Sequence, residues 1–181
     1  MSGARRVIVG ASGSPGSLRA LRYAEEAARR LDALLIPVMV WTPPGGELAE
    51  RRTPSHGLRK IWEEAASELL AHTLEVAWGE LPAGLTTRPT VVRGEPGHAL
   101  VELADSTDDL LVVGAGRRSG MGWLWGARVS RYCLRHARCP VLAVPPATLD
   151  GGQGHGLRGW AFRHRELTLD RALRDWGRAP A

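Results

Sequence analysis

The chain is short of cysteine, holds one lysine and one phenylalanine, and has no long uncharged apolar run. Each shortage excludes something. Its two cysteines, Cys133 and Cys139, lie close together in sequence, but a disulfide framework needs more of them and an oxidising compartment. Zinc needs further ligands at short spacing, and His136 is the one near candidate. Both thiols therefore read as ordinary core residues, and no metal site is expected. No stretch of about 18 apolar residues is free of charge, so no membrane span is expected. The opening MSGARRVIVGASG carries too short an apolar run for a secretory signal, which points to a cytoplasmic location. Catalytic constellations are also missing. The six histidines are scattered. Gly10-Ala11-Ser12-Gly13-Ser14 is neither a G-x-S-x-G nucleophile elbow nor a Walker loop, which would end in Gly-Lys-Ser. No enzymatic activity is expected.

What is present is arginine and a regular alternation of strands and helices. Lys60 is the only lysine among 24 basic residues, against 19 acidic ones, for a net charge of +5 and a pI near 10.2. Such a balance suits nucleotide phosphates, an acidic partner or nucleic acid; of these, nucleic acid is not expected. Hydrophobic residues make up 44% of the chain, enough for a real core. Short apolar runs at Val7–Gly10, Leu34–Trp41, Thr86–Arg93, Leu110–Val113 and Pro140–Val144 read as buried strands. Pro37 is awkward inside the second, because proline removes a ladder donor. Between the strands lie helical patterns. Ser17 is positioned to cap the first, and Leu18, Leu21, Ala24, Ala28 and Leu31 share its face. The second runs from Leu58 to Trp78, with Ile61, Ala65, Leu69, His72 and Val76 expected inward and Leu58, Trp62, Ala66, Leu70 and Leu74 beside them. Shorter helices are expected from Gly97 to Ala104 and from Ser130 to His136.

This order predicts a doubly wound α/β fold, a five-stranded parallel sheet with helices on both faces and a flavodoxin-like winding. Ligands of such sheets bind beyond the carboxyl ends of the strands, at the switch point. Here the crevice would gather the turns after Gly10, Trp41 and Gly114. The domain is expected over residues 4–145. Residues 146–181 differ: a Gly-rich stretch to Gly156, then aromatic residues among arginines, with Thr168 placed to cap a short helix through Trp176. Residues 151–181 hold six arginines and three acids, a net +3. A segment with Trp160, Phe162 and Trp176 is too aromatic for a purely disordered tail, so it is expected to pack on the domain or on a partner subunit with its arginines facing solvent. The rival is a basic arm that stays mobile until it meets an acidic partner.

Three stretches resemble the universal stress protein family: VIVGASGSPGSLRALRYAEEAARR, GEPGHALVELADSTDDLLVVG, and the ending Arg138-Cys139-Pro140-Val141-Leu142-Ala143-Val144-Pro145. The resemblance implies an adenine nucleotide alpha hydrolase-like fold, a stress-response or regulatory role, and homodimerisation through the fifth strand, Pro140–Val144, whose bare edge invites pairing. Members that bind ATP carry G-x2-G-x9-G-[ST] after the fourth strand. Here Gly114 matches the first position. Arg117 replaces the second glycine, and Ala127-Arg128 stand where Gly-Ser would close the loop. The family's adenosine-contacting aspartate aligns with Ser12, followed by Gly13, and Val40 matches a position lining the adenine pocket. The nucleotide or anion site would thus comprise Ser12, Gly13, Val40, Gly114, Arg117, Ala127 and Arg128, weak or defective toward ATP. ATP or another adenine nucleotide remains the implied cofactor, and an unknown protein or small molecule a further partner. Two features replace the lost motif. Arg128, Arg131, Arg135 and Arg138 are spaced to share one face opposite Val129, Cys133 and Ala137. Trp123 and Trp125 are expected in the loop before that helix, open to base stacking, core filling or a dimer contact.

Overall fold

Five short apolar runs and the helices between them form the expected layers in the computed structural model, which describes residues 5–46, 50, 52, 54–115 and 123–145, without the side chains of 123–127. In chain order the elements are β1 (Arg6–Gly10), α1 (Pro15–Leu31), β2 (Leu34–Trp41), α2 (His56–Trp78), β3 (Thr90–Arg93), α3 (Pro96–Leu103), β4 (Leu110–Gly114), α4 (Trp123–His136) and β5 (Val141–Val144). The sheet is parallel throughout, in the order β3-β2-β1-β4-β5. The doubly wound parallel sheet is therefore as expected. Its order puts β3 outside β2, whereas the flavodoxin order places the third strand next to the first on the other side. The switch point falls between β1 and β4.

Side-chain alternation explains why the strands are so uniformly apolar: both faces are covered. Val7, Val9, Leu35, Met39, Val112 and Val144 pack under α1 and α2, against Leu21, Ala24, Leu70 and Leu74. Ile8, Ile36, Val38, Leu111 and Val113 face the other way, against Leu100 of α3 and Cys133 of α4. Each such fully buried side chain contributes about 1.5–3 kcal/mol. Pro37 is accommodated because it faces a break in the ladder. Leu35 gives its N–H to the Thr86 carbonyl, so Pro37, two residues on, points its missing donor toward β3, where regular pairing begins only at Val38 with Thr90.

Several boundaries move, each for a local reason. Ser14, not Ser17, caps α1: its Oγ accepts from the Ser17 N–H at 3.2 Å, and Pro15 takes the first helical position, where no donor is needed. Ser17 is buried instead, its hydroxyl donating to the Ser14 carbonyl. Leu31 is exposed at the end of the helix. In α2 the buried residues are Ala66, Leu70, Thr73, Leu74 and Ala77, so the stripe expected to flank is the inward one, and Val76 is exposed. β3 starts at Thr90, since Pro89 cannot donate to a ladder; only an isolated bridge joins Thr87 to Leu35. α4 starts at Trp123, so Trp123 and Trp125 lie on a helix rather than in a loop. Arg138 lies beyond the end of α4 and not on its face, while Arg128, Arg131 and Arg135 are exposed along it.

Candidate functional site

The crevice forms where β1 and β4 part. β1 and β2 stay paired one step past Gly10, as the Ala11 N–H meets the Val38 carbonyl at 2.8 Å; β4 and β5 do the same where the Ala115 N–H meets Val144. Between them the Ser12-Gly13-Ser14 turn leads into α1. Gly13 has φ +67°, a conformation that glycine adopts freely, and its turn lies over Thr73 and Leu69 of α2. Ser12 is exposed, and its Oγ lies 3.1 Å from the Ser14 Oγ. The crevice thus presents hydroxyls and a serine-capped helix start where the family pattern has a carboxylate. A helix start carries partial positive charge and suits an anion.

Gly114 is held against that same helix start. A Cβ on it would lie 2.9 Å from the Gly16 carbonyl carbon and 3.2 Å from the Ser17 nitrogen. The glycine is therefore required by the seating of α1 on β4, whatever the crevice binds. Val40 is half-buried, packed on the α3 side of the sheet. Arg128 is an exposed residue of α4. The structure thus joins Gly114 to the Ser12–Ser17 segment and sets Val40 at the neighbouring strand end. Arg117 and the side chain of Ala127 lie outside the described residues.

Beside Val40 the structure holds a cluster that sequence reasoning missed. Glu50 is nearly fully buried and accepts from Arg59 Nε at 3.0 Å, with Arg93 as its second partner. Arg93 ends β3 in register with Trp41, and its guanidinium sits 5.7 Å from the Trp41 ring centroid; Trp62 packs on Trp41 at 6.4 Å. Glu50 thereby ties the segment after β2 to the carboxyl ends of β2 and β3. Nothing in the local sequence signals it, because the two residues of the Glu50–Arg93 pair are 43 positions apart.

The thiols are inert by placement. Cys133 is fully buried against the Gly97 carbonyl, and burial pushes its pKa up to about 11; burial raises that of Cys139 as well, and both are free. Among the described residues no group of three histidine, cysteine or acidic side chains could hold a metal ion, and no helix is long and apolar enough to cross a membrane.

A parallel five-stranded sheet with this order, a switch point between β1 and β4 and a glycine-seated helix start defines a doubly wound α/β domain. The chain belongs to the universal stress protein family, whose sequence model matches residues 3–145. It is 30% identical over 145 residues to a universal stress protein of Mycolicibacterium smegmatis, covering 77% of this chain and 45% of that protein. It is 26% identical over 145 residues to a universal stress protein of Methanocaldococcus jannaschii, covering 77% of this chain and 81% of that one. The chain thus spans less than half of the first relative's length and about four fifths of the second's. A solved universal stress protein in complex with cAMP is similar at 29% identity and a TM-score of 0.55, over 81% of this chain and 100% of that one.

Proposed function

We propose that this universal stress protein is a non-enzymatic regulatory protein of the stress response that binds ATP weakly, as a homodimer. The observation that carries the ATP reading is the contact of Gly114 with Gly16 and Ser17. It is the one motif position that this chain keeps, and packing alone accounts for it. The other positions, Arg117 and Ala127-Arg128, and Ser12 in place of the aspartate, have lost the groups that would hold a triphosphate and a ribose. Homodimerisation is supported by β5, a four-residue strand at the edge of the sheet whose own Leu142 is exposed. In this reading the domain over residues 4–145 carries the function and residues 146–181 are an extension of it.

A second reading, an adenine nucleotide module, is favoured by the likeness to a family member solved with cAMP. One phosphate and a base ask less of the altered loop than a triphosphate does. Isothermal titration with ATP and with cAMP separates the two. Weak ATP binding means a dissociation constant above about 100 μM, less than about 5.5 kcal/mol. Low-micromolar ATP affinity would sink the first reading; micromolar cAMP with weak ATP would establish the second.

A further inference from the structure

The far edge of the sheet from β5 carries an apolar groove of about 420 Å³. Its wall is one stripe of α2, Leu70, Ala71 and Leu74, closed by Leu81 and, on β3, by Val91. Leu81 is 53% exposed, a large apolar side chain left in water. The rim is acidic: Glu75 and Glu80 line it, and residues 61–81 hold five glutamates with no lysine or arginine. An apolar floor with an acidic rim fits a basic, aromatic segment.

The chain supplies one. Residues 157–165, LRGWAFRHR, carry three arginines, no acid, and Trp160 and Phe162 at alternate positions. In an extended chain that spacing puts both aromatic rings on one side. We propose that this segment docks in the α2–β3 groove of its own domain, Trp160 and Phe162 over Leu74 and Leu81, with its arginines against Glu75 and Glu80. The chain leaves the domain on the correct face. Arg19 of α1 donates to the Pro145 carbonyl at 2.8 Å, so the exit lies beside the helix layer that forms the groove. β5 and β3 are four strand spacings apart, about 19 Å. The eleven residues from 146 to 156 span up to about 36 Å when extended, and six glycine-rich positions at 151–156 let them bend. This docking does not depend on what the crevice binds.

Hydrogen exchange on the full-length protein tests it. Amides of 157–165 are expected to exchange at least tenfold more slowly than a free peptide, equally at two protein concentrations twentyfold apart. Glu75→Arg with Glu80→Arg removes the protection, and so does Arg163→Glu with Arg165→Glu, which alters no residue of the domain. Combining all four substitutions restores it. Exchange at the free-peptide rate overturns the proposal. Protection that grows with concentration overturns it too, and means that a second copy fills the groove. Protection that survives both charge reversals shows that the segment docks elsewhere.

Discussion

At the amino rim of the sheet, Arg6 of β1 reaches across to the segment between α3 and β4. Its Nε donates to Asp109 at 2.8 Å and its Nη2 to both Asp109 and Asp105, while the Ser106 N–H also bonds Asp109. At the carboxyl rim, the end of β4 meets the start of α1 by close backbone approach, Gly114 lying against Gly16 and Ser17. The amino rim is fastened by side chains that bridge 103 positions of sequence; at the carboxyl rim α1 meets β4 by close backbone approach, and the side-chain clasp of Glu50 lies further out, at β2 and β3. The difference teaches where the fold stores specificity and where it leaves room. An ion network ties the amino rim, and close backbone approach leaves donors and hydroxyls facing a crevice at the other. Arg6 answers to this arrangement: the hydrogen bonds it donates to Asp109 first, then Asp105, hold its guanidinium pKa above the ordinary value.

The comparison breaks most readily at Asp109. Its side chain is almost fully buried, and Asp109→Ala would remove three hydrogen bonds and leave the guanidinium, 28% exposed, to Asp105. A loss of about 3 kcal/mol is expected, at the low end for a broken buried pair because Arg6 is partly in water. Urea unfolding measures it; a loss below about 1 kcal/mol would mean that the amino rim is not fastened by this network.

Gly114→Ala comes next, at about 2 kcal/mol. The new methyl would meet backbone rather than a flexible side chain, so α1 must shift. Gly10→Ala serves as the control. There the nearest atom is Leu100 Cδ1 at 3.2 Å, the end of a side chain that can rotate, and a smaller loss is expected. Equal losses would refute the claim that backbone seating makes Gly114 obligatory. Glu50→Gln, at the outer part of the carboxyl rim, should cost about 1–2 kcal/mol, since the amide keeps a hydrogen-bond acceptor but loses its charge toward Arg59 and Arg93. Unchanged stability there would show that the cluster is not a clasp.

The same contrast explains what could be read beforehand. Strand runs such as Val7–Gly10 and Leu110–Val113 announce themselves because burial on two faces leaves no polar positions in them. The order of elements then forces a parallel sheet, and the switch point follows. The winding itself was less legible: whether β3 pairs with β2 or with β1 depends on packing that no local pattern encodes. Ser17 was the cap read from the sequence, and the cap falls instead at Ser14 because Pro15 takes the first helical position. Ser12, Gly13, Val40 and Gly114 fall near the strand ends, as the order of elements requires, yet the reason for Gly114 was not legible, because its partner is the backbone of Gly16. Glu50 was invisible, since a buried carboxylate is defined by the distant arginines that reach it.

Asp105 sets the smallest expected effect and the finest test of the amino rim. It shares Arg6 with Asp109, and the guanidinium, by hydrogen bond first and by charge second, holds its carboxyl below the usual aspartate range. A carboxylate with a depressed folded pKa adds stability above its unfolded value, about pH 4, and loses it as pH falls through the lower folded value. Asp105 is however fully exposed, so water and salt screen the pair, and Asp109 already holds Arg6 through two bonds. Asp105→Asn is therefore expected to lower the melting temperature at pH 7 only slightly, and the two proteins converge as pH falls below about 4 and the native carboxyl is protonated. Melting curves of both proteins from pH 7 to pH 3, at low and at moderate salt, measure this. A clear loss at pH 7 that persists in salt would place Asp105 with Asp109 in one network, and the amino rim would then be fastened at two points rather than one.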